Sequence, residues 1–87
     1  MITARVGETV SLALPESPGS GYEWQLTSTL PVVSVEFFPS GSIPGSVGER
    51  VFTVEVTTAG RHELLAALIR PWETAVRDIR TFVVEAI

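Results

Sequence analysis

Cysteine is absent from the chain, and with it go disulfides, thiolate metal ligands and a thiol nucleophile. The fold must therefore be held by burial alone. Lysine is absent too: six arginines face ten acidic residues, a formal net charge of −4. No basic stripe exists to neutralise phosphates, so nucleic acid and anionic membrane surfaces are poor partners. Apolar runs are short, none approaching the ~20 residues that cross a bilayer. The segment Met1 to Val10 has neither the charged start nor the apolar stretch of a signal peptide. With Met1 as the native start the expected compartment is cytoplasmic; with a signal peptide removed it is periplasmic or secreted.

Histidine occurs once, at His62, and His62-Glu63 lacks the second histidine that a zinc-binding helix needs. No metal site and no cofactor are expected, and His62 reads as a structural residue at a strand end. Ser20 sits between two glycines, but its spacing is not that of a nucleophile elbow. Scattered carboxylates such as Glu73 and Asp78 read as solvent-facing. An enzyme is therefore not expected.

What remains is 87 residues, 45% hydrophobic and 18% charged, which is enough for one independently folding domain over 1–87 and far from a disordered composition. The apolar spacing is mostly two, with no heptad and no internal repeat. Val10, Leu12 and Leu14 alternate with Ser11 and Ala13; Tyr22, Trp24 and Leu26 alternate with Glu23 and Gln25. The same pattern appears in Val33, Val35 and Phe37, and again in Phe52, Val54 and Val56. Leu64 to Ile69 is nearly all apolar, too short for an ordinary helix, and predicts a central strand covered on both faces; Thr81 to Ala86 predicts the last strand. The fold class is all-β, an immunoglobulin-like antiparallel β-sandwich of about six to eight short strands.

Parity then places the connections. If successive strands run up and down, those at 15–21, 39–48 and 70–78 emerge at one end, and these are the glycine- and proline-rich ones. The connections Thr27 to Pro31 and Thr57 to Arg61 lie at the other end and read as plain turns. The first loop, Ser17-Pro18-Gly19-Ser20-Gly21-Tyr22, offers a backbone free to adopt positive φ and approach another surface closely. The third places Arg70-Pro71-Trp72 where the chain leaves an apolar strand, and Trp and Arg are enriched at binding hot spots. Each segment also has a plainer reading, as a turn in front of a core aromatic and as a tryptophan capping the core.

Together these segments resemble the chagasin family of cysteine protease inhibitors. The first loop, followed by Trp24, resembles the family's Asn-Pro-Thr-Thr-Gly-Tyr/Phe motif, and Arg70-Pro71-Trp72 matches its Arg-Pro-Trp. Gly45-Ser46-Val47-Gly48 lies where the family carries Gly-X-Gly-Gly, and Ala59-Gly60-Arg61-His62 resembles the usual approach to the strand before Arg-Pro-Trp. Ser17, Gly19, Ser20 and Val47 depart from the family residues. The resemblance implies a reversible, non-covalent inhibitor, expected to be a monomer, that wedges its loops into the cleft of a papain-like cysteine protease. It puts Pro18, Gly19, Ser20 and Gly21 over the catalytic centre, Gly45 and Gly48 in backbone pairing with the protease, and Arg70 and Trp72 beside it. The alternative is a non-inhibitory immunoglobulin-like protein-binding module on the same scaffold.

Overall fold

The computed structural model describes residues 1–41 and 46–87. Among them, seven strands form two sheets: β1 (Ile2–Ala4), β2 (Thr9–Glu16), β3 (Glu23–Thr27), β4 (Val32–Pro39), β5 (Gly48–Glu55), β6 (Gly60–Ile69) and β7 (Val76–Ala86). One sheet has the order β1-β7-β6-β3 and the other β2-β5-β4. Every pairing is antiparallel except β1 with β7, where Ile2 lies opposite Val84 in a parallel ladder.

Alternation explains which residues are inside. Along β2, Val10, Leu12 and Leu14 are buried and their neighbours exposed. One core cluster gathers Val10, Leu12, Leu30, Val54, Val56, Leu64 and Val84 from both sheets. A second, containing Leu14, Trp24, Phe52 and Ala66, lies nearer the ends of β2 and β6. Each buried branched side chain stabilises the fold by about 1.5–3 kcal/mol relative to exposure.

Four sequence expectations change. β1 was not anticipated. The strand at Leu64 is central and begins at Gly60, but it is not covered on both faces: Leu64 and Ala66 are buried while Leu65 is 41% exposed. The last strand starts at Val76 rather than Thr81, because β6 and β7 form one long hairpin that continues past the core, with Leu68 opposite Asp78 and Ile69 opposite Val76. Finally β4, at the free edge of its sheet, buries none of its residues, and Val35 is 50% exposed.

Strand register fixes the two ends of the molecule. Glu16, Gly48 and Pro39 are mutual partners across β2, β5 and β4, and Glu23, Ile69 and Val76 across β3, β6 and β7. The connections 17–22, 40–47 and 70–75 therefore leave at one end, in the grouping expected from parity. Pro15 and Glu16, Pro39 and Gly48, and Val76 to Asp78 belong to strands rather than to these loops. Pro15 is tolerated because β2 is an edge strand.

Candidate functional site

The first loop is built by local hydrogen bonding. Pro18–Ser20 form one 3-10 turn, a fit for proline, whose φ is already set and whose missing N–H is not needed there. The Ser20 hydroxyl donates to the Ser17 carbonyl at 2.7 Å and accepts from the Tyr22 N–H at 3.2 Å. That hydroxyl thus shapes the loop. Gly21 closes the turn at φ +79°, a left-handed conformation that favours glycine. A Cβ at Gly21 would also lie 2.6 Å from Cη2 of the Trp72 indole, so the glycine is required twice over.

The third loop is a tight turn in which the Glu73 N–H donates to the Arg70 carbonyl at 3.0 Å, with Pro71 second in the turn, where its φ is already correct. Trp72 follows at the tip, 71% exposed. Arg70 ties this turn to the first loop: its Nε donates to the Ser20 carbonyl at 3.2 Å and its guanidinium stacks 4.2 Å from the centre of the Tyr22 ring. Glu73 pairs with the same guanidinium at 3.1 Å. The first and third loops are one preassembled unit.

The middle loop closes on itself through Ser40, whose N–H donates to the Val47 carbonyl at 3.1 Å and whose hydroxyl donates to the same oxygen. Val47 is exposed, and no described residue other than glycine has positive φ, so valine brings no backbone strain there. Ser46 is half-buried, its hydroxyl 3.6 Å from where a Cβ on Gly41 would sit. Gly48 is buried inside the sheet: an added Cβ would come within 2.6 Å of Phe37 Cζ and 2.8 Å of Pro39 Cα. Packing accounts for that glycine, and its backbone faces β2 and β4 rather than the open end. Gly45 lies outside the described residues.

Sequence reasoning missed the brace beneath these loops. Glu16 continues the inward alternation of β2 two residues past Leu14, and its side chain is only 2% exposed. One carboxylate oxygen accepts from Arg50 at 2.6 Å, and the other accepts the Trp24 backbone N–H at 3.1 Å. The Trp24 indole N–H donates to the Pro15 carbonyl at 2.7 Å, and Arg50 lies 5.1 Å over the Phe37 ring. The Arg50 pKa is raised, chiefly by its hydrogen bond to Glu16, with partial burial opposing and the charges of Glu16 and Glu23 adding. The signal was present in the alternation, which placed a carboxylate where the core would otherwise continue.

Because Arg50 keeps 25% of its side chain exposed, water can compensate it if the pair is lost. Glu16→Gln should therefore cost about 1–2 kcal/mol rather than the larger cost of orphaning a fully buried charge. Urea denaturation reads this directly, and an unmoved midpoint would remove the brace from the account.

Above the brace, a hollow of about 370 Å³ opens between the loops, lined among others by Glu16, Ser20, Tyr22, Val47, Arg70 and Arg77. At the opposite end, Nε2 of His62 lies 2.9 Å from the Thr58 carbonyl, a link within the turn that enters β6. Among the described residues no group of three or more histidine, aspartate or glutamate side chains could hold a metal ion.

A family model, Chagasin family peptidase inhibitor I42, matches residues 3–86. Chagasin of Trypanosoma cruzi is 30% identical over 92 residues, covering 95% of this chain and 84% of that protein. In fold, the chain is similar to the crystal structure of the cysteine protease inhibitor EhICP2 from Entamoeba histolytica, with a TM-score of 0.84 at 17% identity over 99% of this chain and 85% of that one. It is also similar to the solution structure of amebosin, with a TM-score of 0.60 at 27% identity over 98% of this chain and 84% of that one. A match along nearly the whole length, with the fold to go with it, leaves one assignment: this chain belongs to the chagasin family of peptidase inhibitors.

Proposed function

We propose that the protein inhibits papain-like cysteine proteases reversibly and without covalent chemistry, as a monomer, by seating the loops 17–22, 40–47 and 70–75 in the target's cleft. The observation that carries this reading is the coupling of the first and third loops. Arg70 grips the Ser20 carbonyl and Tyr22, and Trp72 packs on Gly21, so the wedge is assembled before it meets a partner.

Preorganisation matters because association costs ordering entropy, and loops already fixed lose little more on docking. A standard interface of about 800 Å² per partner then suffices for tight binding when its anchors are well packed. In this reading Ser17, Pro18, Gly19, Ser20, Gly21 and Tyr22 meet the catalytic centre of the target, and Pro71 and Trp72 from the third loop and Ser46 and Val47 from the middle loop grip the cleft beside them. A net charge of −4 makes nucleic acid and anionic membranes poor partners for such a surface.

The test is a titration against papain and a cathepsin L-like enzyme, following a fluorogenic peptide, with a serine protease as control. Nanomolar, reversible inhibition confined to the cysteine enzymes is the expected result. A folded sample inactive at micromolar concentration against both would favour a non-inhibitory protein-binding module on this scaffold.

A further inference from the structure

Arg77 is not among the residues that the family resemblance singles out, yet the fold gives it an unusual placing. Between Leu68 opposite Asp78 and Ile69 opposite Val76, β7 carries one extra residue, and that residue is Arg77. A bulge of this kind re-aims a side chain out of the regular alternation. Here it brings the Arg77 guanidinium to 5.2 Å from the centre of the Tyr22 ring, where it lines the same hollow as Arg70.

Two guanidinium groups thus share one phenol ring, while only one of them has a carboxylate. Arg70 is paired with Glu73, and the remaining ion pairs of the described residues use Arg50, Arg61 and Arg80. Glu16, the carboxylate in the wall of the hollow, is already satisfied by Arg50 and Trp24. The undescribed residues 42–45 read Ser-Ile-Pro-Gly and contain no acidic group. In a chain with more acid than base, this leaves an exposed positive charge without a counter-charge at the mouth of a part-apolar hollow, at the end that carries all three loops.

We infer that this hollow receives an acidic side chain of the target protease, held by the Arg77 guanidinium. The inference rests on the inhibitory reading and adds to it a charge requirement on the partner. An aspartate or glutamate on the protease face would fork onto Arg77 and relieve the repulsion between the two cations on Tyr22. Because Arg77 is exposed, its contribution appears mostly in the rate of association and in its dependence on salt.

The experiment measures association rates of the full chain with papain and a cathepsin L-like enzyme at low and high ionic strength, for wild type, Arg77→Gln, Arg77→Glu, Arg77→Lys and Arg5→Gln. Arg5 is exposed at the opposite end and serves as a control for net charge. With at least one of the two enzymes, Arg77→Gln should associate about three-fold more slowly and Arg77→Glu about ten-fold, both with a weaker salt dependence. Arg77→Lys should keep the salt dependence, and Arg5→Gln should match wild type. If the Gln and Glu variants associate like wild type with both enzymes, or if Arg5→Gln slows association equally, the inference is overturned while the inhibitory reading stands. If wild type inhibits neither enzyme, both fall together.

Discussion

Trp72→Ala is expected to raise the inhibition constant against papain-like proteases by about ten-fold or more, a loss of roughly 1.4 kcal/mol for each factor of ten. The indole is 71% exposed at the tip of a proline-fixed turn and lies against the backbone of Gly21. A large aromatic held rigid and left in water contributes little to folding and much to an interface that buries it. The variant should keep the wild-type melting temperature, which separates lost contact from lost fold. A folded Trp72→Ala protein with an unchanged inhibition constant would mean that the indole is not the anchor, and would move attention to the first loop at Pro18 to Gly21.

Trp24→Ala is expected to do the reverse. Trp24 is 5% exposed and packs with Leu14, Phe52 and Ala66, with Leu26, Leu68 and Phe82 around them. Truncating a buried tryptophan costs about 3–5 kcal/mol through lost transfer free energy and the cavity left behind. Against a total stability of roughly 5–15 kcal/mol for a typical domain, that is a large share. The melting temperature should fall by about 12 °C or more, at the usual 4–8 °C per kcal/mol for a domain of this size. The indole N–H also leaves the Pro15 carbonyl, so the base of the first loop loses a fixed point. A drop of less than about 5 °C would show that the second core cluster does not depend on this side chain. The two tryptophans should therefore separate cleanly in thermal melts and inhibition assays on the same pair of variants.

Much of this was legible in the sequence, and the reasons differ by element. β2, β3 and β5 were readable because each has one face in the core and one in solvent, which is the condition under which a period of two is written into the residues. β1 was not, since Ile2–Ala4 are three residues whose placement depends on a parallel partner at the far end of the chain. The N-terminal half of β7 was hidden for another reason. Arg77, Asp78 and Arg80 look like a solvated connection, yet the β6–β7 hairpin draws Asp78 and Arg80 into the ladder and leaves Arg77 as the bulged residue between paired neighbours. Leu65 misled in the opposite direction: an apolar residue in an apolar run need not be covered when its sheet face is open to water.

The site divides in the same way. Proline and glycine positions in Ser17 to Tyr22 and in Arg70 to Trp72 signalled loops, because those residues are restricted or freed by local backbone geometry alone. The ties between the loops were not legible, since Arg70 and Ser20 are fifty residues apart in sequence and meet only through the register of β3 against β6. Gly48 shows the same limit from the other side: it reads as a binding-loop glycine, and the packing between β2 and β4 that requires a glycine there was not visible in the sequence.

The unequal mounting of the three loops has a consequence for how such a surface can diverge. A change at Gly21, Tyr22, Arg70 or Trp72 alters the partner of one of the others, so variation there must come in matched sets. The middle connection belongs to a hairpin of the other sheet, where Ser40 and Val47 are tied to each other. It can drift one residue at a time without unseating the rest. Across related chains, covariation should bind the outer two loops to each other, while the middle one varies freely and carries the adjustment to each new target.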